Sequence, residues 1–392
     1  MSANYRKLGE IVKLIDERNK DEKVQTLIGV SIEKCFIKSV ANTIGTDLSK
    51  YQIIRKNDFA CSLMQVSRDG KIPIVCLKDY DEAIVFPAYY IFRIKNTDEV
   101  LPDYLSMWFM RSEFDREAAY IAVGGVRGSM PWEDFCNMEL PIPDIKEQQK
   151  IVDAYNSITK RIKIKQKINE NLEKTAQCLF EKYFDEYNKF YEKEELKSLP
   201  SGWKYSIIGD FCKDNIKSLS SSDKLKEILY LDTGNITNNK IEELKTITES
   251  EGFPSRAKRI VYDNDIVFST VRPNLRHYGI IRKPAKNMIV STGFSVLHND
   301  SEKVSNEFLY MWITNEVTLS FLQSIAENSV STYPSINSDD LMNIKIIIPS
   351  DNILSELNEG FRKIFLMIDY NNQEITKLQE LKQLVISRIS GI

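Results

Sequence analysis

The chain has 392 residues, 42% of them hydrophobic and 28% charged, with a formal net charge of −3. That length is too great for one ordinary core and suits two domains with connectors. No apolar run approaches the roughly 20 residues that span a bilayer, and the slight acidity argues against a uniformly basic nucleic-acid binder.

In chain order, the opening "MSANYRKLGE" lacks the apolar stretch of a signal peptide. The β-branched runs "IIRKNDFACS", from Ile53, and "EAIVFPAYYIFRI", from Glu82, read as strands. Between them "SLMQVSRDGK", 62–71, forms a polar turn that carries Ser62, Gln65, Arg68 and Lys71. "PDYLSMWFMRSEFDREAAY", from Pro102, reads as an amphipathic helix with Trp108 as a core anchor. The glycine-rich "AVGGVRGSM", 122–130, reads as a mobile binding loop. "FCNMELPIP" stops on Pro143, and a long polar helix begins at "DIKEQQKIV".

Beyond that helix the chain repeats. "LPSGWKYSIIGDF" opens a second copy as "YRKLGEI" opens the first. "YLSMWF" at Tyr104 returns as "FLYMWI" at Phe308, 204 residues on, with Trp312 in the place of Trp108. Asp58 of "NDF" aligns with Asp265 of "NDI", 207 on, and "FCNMELPIP" at Phe135 returns as "LMNIKIIIP" at Leu341, 206 on. The expected fold is therefore α/β, with globular domains over 1–145 and 196–350 related by an internal repeat. A long helix follows each, over 146–195 and 351–392.

Apolar residues fall three and four apart in the first helix: Ile151, Tyr155, Ile158 and Ile162, then Leu172, Ala176, Leu179 and Tyr183. Residues 206 further on are Leu357, Phe361, Ile364, Ile368, Leu378, Lys382, Val385 and Ile389, all apolar but Lys382. This is a coiled-coil seam, interrupted by Lys165 and Asn169, whose equivalents are Asn371 and Ile375. Some 40 residues of helix span roughly 60 Å, and a stripe that long needs a partner. Chain order makes the pair antiparallel, with the two domains at opposite ends of a rod. Two alternatives are a helix packed on its own domain and two helices that each pair with another protein.

No GxxxxGK[ST] phosphate loop and no Asn-Pro-Pro-aromatic methyltransferase signature occurs. Asp81-Glu82-Ala83 is a turn entering a strand, and His277 and His298 are too far apart for a local metal motif. Six scattered cysteines without a CxxC pair read as reduced thiols. The expectation is a cytoplasmic binding protein without catalytic residues, a resident metal or a cofactor of its own.

One stretch breaks the acidic average. Residues 254–286 hold Arg256, Lys258, Arg259, Arg272, Arg276, Arg282, Lys283 and Lys286 against Asp263 and Asp265. Lys and Arg neutralise phosphates, and Arg, Asn, Ser and Thr can read base edges. Ser269, Thr270, Arg272, Asn274, Arg276 and His277 in "STVRPNLRH" are candidates for base or nearby phosphate contact, and Arg256, Lys258 and Arg259 for phosphate. Ser62, Gln65, Arg68 and Lys71 hold the matching place in the first copy. Arg127 and Ser129 of the glycine-rich loop are further candidates, with "VSTYPS", 330–335, near the equivalent place.

Over essentially its whole length the chain resembles the specificity subunit of a type I restriction–modification system. The resemblance rests on the two-copy layout, "LPIPDIKEQQKIV", "LPSGWKYSIIGDF" and, in order, "YLDTGNITNNKI", "PSRAKRIVYDNDIVFSTVRPNLRHYGIIRKP" and "IVSTGFSVL". It implies two target-recognition domains, each reading half of a bipartite double-stranded DNA site, and an antiparallel spacer that docks two modification subunits. Those subunits bind S-adenosylmethionine and methylate adenine, and restriction subunits use ATP and Mg for cleavage. "SDNILSEL" in the second helix lacks the "EQQKIV" phrase, which leaves docking on that side less defined. Two readings compete: a coiled-coil scaffold with peptide- or RNA-binding domains, and a self-sufficient enzyme.

Overall fold

In the computed structural model, which describes residues 5–38, 47–64, 66–125, 128–187, 198–220, 223–329 and 333–389, each copy pairs its first strand with its last. Tyr5–Lys7 runs antiparallel to Glu139–Pro141, and Lys204–Ile207 to Lys345–Ile348. Proline has no amide with which to extend a ladder, so the closing strands end there and the chain turns into a helix. Two compact units divide the chain: residues 1–164 with 375–392, and residues 165–374.

The first unit holds a four-stranded antiparallel sheet in the order Val12–Ile15, Tyr90–Ile94, Phe59–Cys61, Ile74–Cys76. The second holds Cys212–Asp214, Phe294–Asn299, Ile266–Ser269, Tyr278–Ile280 in the same order of succession. The repeat extends to the turn before the third strand of each list. Asn57 and Asn264 take φ of 70° and 72°, the left-handed region asparagine tolerates. The buried Asp58 and Asp265 carboxylates then accept the backbone N–H groups of Arg55 and Tyr262, at 3.0 and 2.7 Å. A cationic or imidazole side chain covers each: Arg93 at 2.6 Å from Asp58, His298 at 2.6 Å from Asp265.

The two copies part company elsewhere. The second unit adds a mixed sheet of Lys245–Thr248, Glu227–Leu231, Met288–Ser291 and Ala257–Ile260. The first has the pair Gln52–Arg55 with Glu82–Val85 and the hairpin Ile28–Val30 with Phe36–Lys38.

The stretch expected as one amphipathic helix from Pro102 is two helices, as is its counterpart in the second copy. Pro102–Phe109 and Ser112–Ile121 are separated at Arg111, and Asn306–Thr314 and Glu316–Glu327 at Asn315. Asn315 is extended, and its side chain caps the second helix by accepting from the Thr318 N–H at 3.0 Å. Trp108 and Trp312 are buried at 5% and 1% exposure, each in its unit's core.

The long helices are Ile145–Phe184 and Asp351–Arg388. Within the first unit, Ile158 and Ile162 cluster with Ile375 and Leu378, and Lys382 Nζ lies 4.7 Å from the Tyr155 ring. Within the second, Leu179 faces Gly360, and Lys165 faces Asn371 and Glu374. Numbers rise along one helix as they fall along the other, so the pairing is antiparallel. Ile162, Leu357, Phe361, Ile368 and Leu378 are buried, and Ile151, Tyr155, Ile158, Leu172, Leu179, Ile364 and Val385 half-buried. Phe180 and Phe184, beside the expected seam, are fully buried, with ring centroids 4.9 Å from Trp312. That end of the helix faces its globular domain as well as its partner helix, so its apolar stripe is wider than a seam.

The missing "EQQKIV" phrase has a structural substitute. In the first unit Gln148, 0% exposed, accepts the Leu101 N–H at 2.9 Å and donates to the Glu99 carbonyl at 2.7 Å. In the second, Asn358 accepts the Ser305 N–H at 3.1 Å and donates to the Lys303 carbonyl at 2.7 Å. Leu101 and Ser305 are 204 residues apart, but Gln148 and Asn358 are 210 apart. Equivalent positions of the two long helices lie 206 apart, so the same amide duty has moved four residues, about one helical turn, along the second helix.

The polar seam layer is satisfied internally. Asn169 donates to Asn372 at 2.8 Å and accepts from Asn371 at 2.8 Å, while Lys165 bonds Asn371 at 3.0 Å. Asn169→Leu is therefore expected to lower the unfolding free energy by about 1–2 kcal/mol, because it orphans a buried amide. Adding Asn371→Leu removes that orphan, and urea titration should show recovery. A double variant less stable than the single would refute this account of the layer.

Candidate nucleic-acid interface

The strand Ile266–Ser269 delivers the polar segment 269–277 to the end of its sheet, and a second loop clamps it there. The Ile336 N–H donates to the Thr270 carbonyl at 2.9 Å and the Arg272 N–H to the Pro334 carbonyl at 3.0 Å. The first unit repeats the clamp, with the Met130 N–H donating to the Leu63 carbonyl at 2.9 Å. There Gly128, at φ 72°, touches the other loop: a Cβ would strike the Ser67 hydroxyl. In both units the turn after the strand and the loop after the helices form one composite site. Gln65, Val126, Arg127 and residues 330–332 lie outside the described residues.

Within 269–277 a short helical turn, Pro273–Leu275, is flanked by Arg272 and Arg276, both left-handed at φ 49° and 58°. Pro273 is buried, while Arg272, Asn274 and Leu275 face solvent. Arg276 is gripped on both nitrogens by Glu316 at 2.8 Å, which holds its guanidinium above the ordinary arginine range.

Three candidates need correction. Ser269 is 2% exposed, and its hydroxyl donates to the Val271 carbonyl at 3.1 Å, so it shapes the turn and does not reach a base. His277 Nδ1 lies 2.7 Å from the Ile236 carbonyl and ties the loop to the strand Ile236–Thr237. Arg259 is half-buried, and its Nη1 is enclosed without a hydrogen-bond partner among the described residues. The enclosed guanidinium is not presented to a phosphate in this arrangement, and burial, partly offset by Asp214, holds it below its ordinary value.

The rest are placed as follows. Thr270 Oγ donates to the Gly293 carbonyl at 3.0 Å and supports the turn. Lys258 and Arg256 are exposed, and Arg256 lies across Gly293, where a Cβ would stand 2.6 Å from its Nη2. In the first unit Arg68 is exposed beside Asp69 at 2.8 Å, and Lys71 pairs with Glu33 at 3.3 Å. Ser62 and Ser129 are half-buried.

Sequence reading missed Glu316, and it marked the segment that holds Tyr333 and Pro334 without its link to Arg272. Their role depends on bonds reaching 40 residues or more along the chain, and local pattern carries no such signal. Among the described residues no group of three or more His, Cys, Asp or Glu is arranged to hold a metal ion, and no helix is long and apolar enough to cross a membrane.

The chain is similar to known proteins in sequence and in fold. A stretch of 183 residues is 26% identical to the type I restriction enzyme HindI specificity subunit of Haemophilus influenzae, covering 47% of this chain and 39% of that one. The chain thus matches well under half the length of that relative. The MjaIX specificity subunit of Methanocaldococcus jannaschii is 24% identical over 317 residues, 77% of this chain and 67% of that one. In fold, the crystal structure of a type I restriction–modification S subunit from M. genitalium is similar with a TM-score of 0.59 at 14% identity, over 99% of this chain and 96% of that one. The family described as type I restriction modification DNA specificity domain matches residues 4–174 and 200–383. With both copies matched, the chain belongs to the type I restriction–modification DNA specificity family.

Proposed function

We propose that the chain reads a bipartite, asymmetric double-stranded DNA target, one half with each unit's composite loop site. One observation carries the reading: the same two-loop clamp is built twice on the same strand order, with different exposed polar groups. Arg68 faces solvent in the first unit; Arg272, Asn274, Arg256 and Lys258 do so in the second. Like scaffolds with unlike tips suit two different half-sites.

The antiparallel helices act as a spacer and dock two modification subunits, and restriction subunits join the same complex. Exposed Leu366, Met367 and Tyr370 on the second long helix are apolar groups available to such partners. The chain itself is non-catalytic in this reading. S-adenosylmethionine belongs to the modification subunits, and ATP with Mg to the restriction subunits.

The test is a map of methylated adenines in cells carrying the chain, lacking it, or carrying a version with seven residues added to each long helix. The expected result is a two-part motif that vanishes on deletion. The insertion, worth about 10 Å of helix, should widen its gap by about three base pairs with the half-sites unchanged. An unaltered methylation map after deletion rejects the reading.

A further inference from the structure

The exposed end of the second unit's loop has a feature that phosphate binding does not call for. Arg272 is held left-handed, a conformation unfavourable for a residue with a Cβ, which persists only where the surroundings over-determine it. The surroundings here are the Arg272 N–H bond to Pro334 at 3.0 Å, the bridge between Val271 and Ser335, and the buried Pro273. The same clip brings in Tyr333, 61% exposed, with its ring centroid 5.8 Å from the Arg272 guanidinium carbon. Among the described residues no carboxylate pairs with Arg272, unlike Arg276, held by Glu316, and Arg282, held by Glu307.

A phosphate needs only a positive charge within reach, and a flexible exposed side chain supplies it. A guanine needs more: two N–H groups presented in one plane to O6 and N7 in the major groove. Arginine has that planar fork, and contact with an aromatic ring restricts the swing of the guanidinium. Strained backbone, clipped turn and ring contact together pre-organise one donor pair, which is what sequence reading rewards.

We infer that Arg272 reads a guanine in the half-site recognised by the second unit, and that Tyr333 is the positioning residue that holds its guanidinium for that contact. The inference rests on the DNA-reading function proposed above and adds to it one base and one residue pair.

The experiment selects bound duplexes from a randomised pool with the full-length chain and with Arg272→Ala, Arg272→Lys, Tyr333→Ala and Tyr333→Phe, each first shown to melt with the wild type. The wild type should enrich a guanine at a fixed place in one half-site. Both Arg272 variants should relax that preference about tenfold or more, leaving the other half-site intact. Tyr333→Ala should relax it in part, and Tyr333→Phe, which keeps the ring, should retain it. Uniform weakening on all sequences with Arg272→Ala makes Arg272 a phosphate contact and overturns the inference, as does relaxation at a base other than guanine. An unchanged preference with Tyr333→Ala, or an equal loss with Tyr333→Phe, overturns the positioning role. Failure of the wild type to select any sequence is a different result and counts against the DNA-reading function itself.

Discussion

Lys34→Met is expected to destabilise the first unit by about 3–5 kcal/mol, because it strands a buried carboxylate. Lys34 Nζ lies 2.7 and 2.8 Å from the two Asp115 oxygens and also donates to the Phe109 carbonyl. The two side chains are 9% and 12% exposed, so water offers little replacement. Burial outweighs these bonds and holds the Lys34 amine below the ordinary lysine value, so the pair is retained at some expense in solvation. Its benefit is positional. Asp115 also accepts the Ile72 N–H at 3.2 Å, which fixes the end of the turn 62–71 that forms half of the first composite site. Loss of Lys34 should therefore loosen recognition of the first half-site while the second is still read. Chemical denaturation measures the first effect, and selection from a randomised duplex pool the second. Adding Asp115→Leu should recover much of the stability, since the bare carboxylate is gone, but not the half-site preference, since Ile72 stays untied. A Lys34→Met protein that unfolds like the wild type would show that the Asp115 charge is stabilised elsewhere.

Lys34 also shows where sequence reading stops. It takes φ 57° in a hairpin turn and meets Asp115 81 residues later, and neither fact leaves a periodic trace. The repeat was legible because its marks are local. An Asn-Asp pair before an apolar strand fixes a left-handed residue and a capping carboxylate in both copies. A proline after a β-branched run ends a ladder, and apolar residues spaced three and four apart make a helix stripe. The composite loop site was legible only as two separate polar segments. The bonds from Met130 to Leu63 and from Ile336 to Thr270 that join them are backbone contacts independent of side-chain type. Ser269 and His277 misled for the converse reason. Their side chains have the chemistry of base readers, but carbonyls of Val271 and Ile236 already occupy them. Polar residue type shows what a group can bond, and only the fold shows whether that capacity is already used.

The second large effect is one of pH, and it lies where the second long helix meets its own recognition domain. Arg282, just after the strand Tyr278–Ile280, is shared by two carboxylates: Glu307 at 2.6 Å and Asp369, on the helix, at 3.1 Å from Nε. Burial, with Glu307 and Asp263 nearby and against the pull of Arg282, pushes the Asp369 carboxyl up to about 6 from an ordinary 3.8. Its folded value is raised, so between pH 4 and 6 the native state holds a proton that the unfolded chain has released. Stability from this group must then fall as pH rises through that window and level off above it. A shift of that size corresponds to about 2–3 kcal/mol. Asp369→Asn keeps an oxygen for Arg282 but cannot ionise. It should match the wild type near pH 4 and exceed it by about 2 kcal/mol at pH 7.5, read by urea titration across the range. Curves for the two proteins that stay parallel from pH 4 to 7.5 would place the Asp369 carboxyl at its ordinary value. One arginine would then be satisfying both carboxylates where the helix is anchored.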